Sequence, residues 1–167
     1  SKINYGDLLS EYDPLIQLIN TQQKINLVVS DAAFESEGPE LHQENSSFHL
    51  FVSEILIICS TLQLGGHSCI KIFSSLTEST AYLIYLTGLL FEQVYLFKPL
   101  SSRPANSEQY LIGKGFIGTN KQVEQTLRTI MINKSYPSFS TAPSSEWSNY
   151  LDQINQISIQ RQIEALR

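Results

Sequence analysis

With 167 residues, 42% apolar and 16% charged, the chain suits one domain with enough material for a packed core. A net charge of −5 excludes a surface that traps nucleic acid by charge alone, so any such contact must come from a local patch or a short ligand. The longest apolar run, Ala81 to Phe91, is far short of the roughly 20 residues that span a bilayer, and no signal peptide is visible.

In chain order, Lys2 to Tyr5 predicts a short strand ended by Gly6-Asp7, and Pro14 to Thr21 a short helix with proline in its first turn. Ile25 to Val29 is a continuous apolar run, the pattern of a strand buried on both faces. It ends at Ser30-Asp31-Ala32-Ala33-Phe34, and a polar loop over Glu35 to Glu44 follows. Phe48, Phe51, Val52, Ile55, Leu56, Ile58, Cys59 and Leu62 then recur at helical spacing, with Gly65-Gly66 as the expected stop. His67 to Phe73 predicts the next strand. Thr77 to Phe91 predicts a second helix capped by Thr77 or Ser75. A strand over Val94 to Phe97, a polar loop and a strand over Tyr110 to Phe116 follow. Gln122 to Asn133 is amphipathic, Tyr136 to Ser145 has linker composition, and Trp147 to Leu166 carries one apolar stripe that packs on the domain or on a partner. Strands alternating with helices of this length argue for a doubly wound, mostly parallel sheet whose last two strands are antiparallel.

In such a sheet, ligands bind at the carboxyl ends of the strands. Asp31 stands just past one strand, Lys71 in the carboxyl half of the next, and Glu108 where the 100–108 loop starts its returning strand. Topology therefore gathers the three at one edge. Lys71 is the oddity, because it interrupts the apolar run Cys69, Ile70, Ile72, Phe73. A lysine there either snorkels at a strand end in a surface ion pair, or is held by carboxylates as a tunable acid–base group. His42, His49 and His67 share no metal-ligand spacing, so no metal site is expected. Cys59 and Cys69 read as buried reduced thiols, while Phe34 and Tyr110 read as packing groups.

The stretch Lys98-Pro99-Leu100-Ser101-Ser102-Arg103-Pro104-Ala105-Asn106-Ser107-Glu108-Gln109-Tyr110 resembles a motif of the FtsJ-like ribose 2′-O-methyltransferases, above all the cap-specific mRNA enzymes. That resemblance implies an α/β fold with a Rossmann-like sheet dependent on S-adenosylmethionine, of which this chain would be the back half, plus C-terminal helices. It implies methyl transfer from S-adenosylmethionine to a ribose 2′-hydroxyl by a Lys-Asp-Lys-Glu tetrad. Asp31 is similar to its aspartate, Lys71 to its second lysine and Glu108 to its glutamate. Asp7 in Asn4-Tyr5-Gly6-Asp7 resembles the residue that accepts from the cofactor adenine, with Asp31 and Ala32 also at the cofactor. Ala32-Ala33 departs from the glycine the family usually has there. Lys98, Ser102, Arg103 and Asn106 would face capped RNA.

The family's first lysine has no counterpart, since Lys2 lies beside the first strand and Lys24 is too close to Asp31. No Gly-rich cofactor turn is visible, and the chain opens on Ser-Lys. The expectation is therefore a chain that needs an N-terminal half or a partner chain and is inactive alone. Residues 1–118 would be the C-terminal part of the methyltransferase domain, 119–134 an amphipathic helix, 135–145 a linker and 146–167 a C-terminal helix. The competing expectation is a catalytically inactive module that binds RNA or protein. Either would be intracellular, nuclear or cytoplasmic, and cytoplasmic if viral.

Overall fold

The computed structural model describes residues 25–32, 40–103, 105–137, 139 and 144–165. The expected strand at Lys2 to Tyr5, the helix at Pro14 to Thr21, Asp7 and Phe34 lie outside them. Among the described residues, four strands form one sheet: β1 (Ile25–Ser30), β2 (Leu62–Phe73), β3 (Phe91–Phe97) and β4 (Glu108–Phe116). Four helices of the described residues accompany it: α1 (Glu40–Thr61), α2 (Glu78–Gly88), α3 (Lys121–Asn133) and α4 (Ser145–Ala165).

The sheet order is β1-β2-β4-β3. β1 and β2 are parallel, with Leu27 beside His67 and Ser30 beside Ile70. β4 inserts between β2 and β3, antiparallel to both. β1, β2 and β3 therefore point one way, and their carboxyl ends make a common rim, as the Rossmann-like reading requires.

Period-two alternation divides the sheet into two faces. Ser68, Ile70 and Ile72 of β2, with Gln109 and Leu111 of β4, are buried beneath the helices. Helix α1 packs on β2 and also meets α2 and α3. Its Phe48, Val52, Ile55 and Ile58 join Ile70, Leu83, Ile84, Leu111 and Leu127 in one core. Fully burying each such leucine or isoleucine stabilises the fold by roughly 1.5–3 kcal/mol.

Three expectations need correction. β1 is not buried on both faces, because Leu27 and Val29 are 56% and 64% exposed on the face away from α1. Only Val28, among its central residues, packs against the core. Gly65-Gly66 does not end a helix but lies inside β2, where the β1 register shifts between Ile25 and Leu27. Gly65 has a φ of +77°, and a Cβ on Gly66 would sit 2.8 Å from the Leu62 side chain. The pair therefore forms a bulge that only glycine accommodates. Finally, α1 begins at Glu40, inside the expected polar loop.

That early start has a reason. Glu44 is buried, and its carboxylate accepts from Thr77 N at 2.9 Å, Thr77 Oγ1 at 2.7 Å and Leu76 N at 3.3 Å. It thereby neutralises the unpaired amides at the start of α2. Thr77 is itself the N-cap, accepting from Thr80 N at 3.2 Å, one of the two caps expected. The C-terminal helix α4 packs on the domain. Leu151 is buried, Trp147 lies 6.0 Å from Tyr85, and Asn155 Nδ2 donates to Ser75 O at 3.0 Å.

Candidate active site

The open face of the sheet carries the candidate site residues. Odd-numbered residues of β2 point there (His67, Cys69, Lys71, Phe73), as do even-numbered residues of β4 (Glu108, Tyr110, Ile112, Lys114). Register sets Lys71 beside Tyr110 and Tyr110 beside Phe97, with Phe73 beside Glu108.

At the rim, Lys71 Nζ lies 2.5 Å from Asp31 Oδ1 and donates to the Asp31 carbonyl at 3.2 Å. The lysine side chain is only 11% exposed, while the aspartate is 74% exposed. The ammonium is therefore held at its root and met by a solvated carboxylate. The Phe73 ring, 5.5 Å from Nζ, covers one side. Lys71 thus combines both sequence alternatives: it is mostly buried, yet it is ion-paired at a strand end.

Glu108 lies on the same rim, but its carboxylate accepts from Tyr110 Oη at 3.1 Å. Among the described residues it makes no ion pair with Lys71. The phenol of Tyr110 is pushed up, first by desolvation and then by its bond to Glu108 and the nearby Asp31 charge. Tyr110 was expected as a packing group. Its polar contact was missed because Glu108 and Tyr110 face the same side only once the pair is known to lie in one strand.

The 98–107 loop is tied by its own backbone. Ser102 N donates to Pro99 O at 3.0 Å, Asn106 N to Arg103 O at 3.1 Å, and Ser74 N to Ser107 O at 3.0 Å. Lys98 Nζ donates to the carbonyls of Asn106 and Glu108, and Asn106 Oδ1 accepts from Glu108 N. Lys98 and Asn106 thus brace the loop beneath Glu108. Arg103 is exposed, and Ser102 is half-buried. Ala32 is half-buried at the rim, beside Asp31.

Beneath the rim sits a residue that sequence reasoning missed. Glu54 of α1 is 3% exposed and accepts a hydrogen bond from Ser30 Oγ. Desolvation pushes its carboxyl up to about 8, opposed by the Ser30 bond and the Lys71 charge and reinforced by Asp31. Its only signal in the sequence was a carboxylate within the apolar helical run Phe48 to Leu62. Elsewhere, His67 Nδ1 accepts from Gly115 N at 3.2 Å, and His49 stacks edge-on with Phe48 and Tyr136. Burial also pushes the Cys59 thiol up to about 12, as expected for an inert core thiol.

A family model of FtsJ-like methyltransferases matches residues 3–116. The chain belongs to that family. It is 34% identical over 162 residues to the mouse protein named cap-specific mRNA (nucleoside-2′-O-)-methyltransferase 1, covering 89% of this chain and 19% of the relative. It is 41% identical over 99 residues to the human protein of the same name, covering 59% of this chain and 12% of that one. The chain therefore spans about a fifth or less of the length of these relatives. In structure it is similar to a Plasmodium falciparum protein described as a ribosomal RNA methyltransferase. That match has a TM-score of 0.53 and 25% identity, over 71% of this chain and 63% of the other. Among the described residues, no helix is long and apolar enough to cross a membrane.

Proposed function

We propose that this chain carries the acid–base residues of an RNA ribose 2′-O-methyltransferase acting at the mRNA 5′ cap. The observation that supports it most is the mostly buried Lys71 side chain whose ammonium meets the Asp31 carboxylate, at the strand-end rim where this family's sheet takes its ligands. In this reading Lys71 is the base. As the neutral amine it accepts the 2′-hydroxyl proton, and Asp31 holds the nitrogen in place and stabilises the ammonium that results. Glu108, oriented by Tyr110, completes the acidic rim and with Asp31 sets the protonation and position of the lysine. Arg103 and Ser102 contact the RNA backbone, while Lys98 and Asn106 keep their loop in register.

The exposed carboxylate of Asp31 and the small Ala32 fit the cationic end of S-adenosylmethionine, with Asp7 at its adenine. That cofactor, when bound, supplies the sulfonium methyl. Residues 1–118 are read as the C-terminal part of the catalytic domain. The remaining cofactor cradle and the first lysine come from an N-terminal half or a partner chain, without which this chain is inactive, in a nuclear or cytoplasmic setting. One observation favours the inactive-module alternative: Glu108 bonds Tyr110 instead of Lys71.

The test is methyl transfer from labelled S-adenosylmethionine to capped RNA by the native polypeptide, beside Lys71→Ala. Loss of about 10²- to 10⁴-fold in kcat is expected. Undiminished transfer by the variant refutes the assignment of the base.

A further inference from the structure

Burying a carboxyl is costly unless something pairs with it, and Glu54 occupies the helix layer that is otherwise core. Its hydrogen bond from Ser30 Oγ ties α1 to the residue next to Asp31. Glu54 and Lys71 also line one cavity of about 10 Å³, with Ala32, Glu44, Ser47 and Thr80 among its other walls. That is room for about one water. The charged groups around it are Lys71 from β2, Asp31 just past β1 and Glu44 from α1 itself. Helix α2 presents Thr80 there, which does not titrate.

We propose that Glu54 is a positioning residue that tunes Lys71 across this cavity: while it holds its proton the lysine answers to Asp31 alone, and once ionised it is a second, buried counter-charge. Asp31, exposed to solvent, keeps the nitrogen in place. The neutral amine is the form that can take a ribose proton, so this inference rests on the reading of Lys71 as the base. The sign follows from Coulomb attraction: an ionised Glu54 favours the ammonium, and removing its charge lets the amine appear at lower pH.

The experiment is a ¹³C NMR titration of the Lys71 ε-carbon in the native polypeptide, assigned through Lys71→Arg and compared with Glu54→Gln. The midpoint is expected to move down by about one pH unit in Glu54→Gln. A midpoint that stays put or rises overturns the inference, whether or not RNA is methylated. Should Glu54→Gln fail to fold, Ser30→Ala serves instead. It removes the bond that favours ionised Glu54, so a smaller downward shift is expected, and no shift overturns the inference equally. The rising limb of the methyl-transfer pH profile should follow the NMR midpoint, with KM for capped RNA unchanged. An NMR shift without any methyl transfer by the wild type would leave the coupling of Glu54 to Lys71 standing and sink the assigned activity instead.

Discussion

The two faces of the sheet come from the same strands and teach opposite lessons. Toward α1, alternation delivers Ile70, Ile72 and Leu111 to a dry core, where close packing sets the energy. Away from α1, the intervening positions deliver Cys69, Lys71, Tyr110 and Glu108 to a half-open surface, where charge and hydrogen bonds do. One residue crosses this division. Glu54 is rooted in the packed layer but is electrostatically coupled to the open rim.

Mutations on the two faces should therefore separate cleanly. Ile55, fully buried on α1, should show the largest effect: Ile55→Ala is expected to cost about 2–5 kcal/mol in denaturant unfolding, through the cavity it leaves. A cost below about 1 kcal/mol would mean that the core is not organised around α1.

Glu54 sharpens the comparison through pH. Its carboxyl is raised from 4.5 to about 8, so the folded state holds a proton that the unfolded state has released. The resulting stability is fully present below about pH 4.5 and is lost as pH rises through about 8, an effect on the order of a few kcal/mol. Thermal melts from pH 5 to 9 should fall for the wild type and flatten for Glu54→Gln. Parallel curves would show that the carboxyl is not buried in solution.

Asn155→Ala removes the latch of α4 on Ser75 and is expected to cost about 1 kcal/mol, read as faster amide exchange along 145–165. Unchanged exchange there would place the hold of α4 elsewhere, in Trp147 and Leu151. On the open face, Val29→Ala should change stability by no more than about 0.5 kcal/mol. A larger loss would mean that this strand face is covered in the native polypeptide.

Much of this was legible along the chain. The strand–helix alternation, the Thr77 cap and the polar loop from Lys98 to Ser107 follow from punctuation and periodicity, which are local. The errors were local rules applied one step too far. Gly65-Gly66 looks like a helix stop until β1 supplies the partner strand that makes it a bulge. The apolar run at Ile25 to Val29 looks doubly buried because hydrophobicity records what a strand can bury, not what lies over it.

Spacing and residue type along the chain were enough to predict that Asp31, Lys71 and Glu108 share a sheet edge, and the family match over 3–116 accords with the fold that reading assumed. Which acid actually meets the lysine needed the packed fold. Asp31 reaches it, Glu108 turns to Tyr110, and Glu54, 24 residues beyond Ser30, approaches from beneath on α1. The reason is physical: periodicity assigns a side chain to a face, but its partners depend on how separate elements dock, and no local pattern encodes that distance.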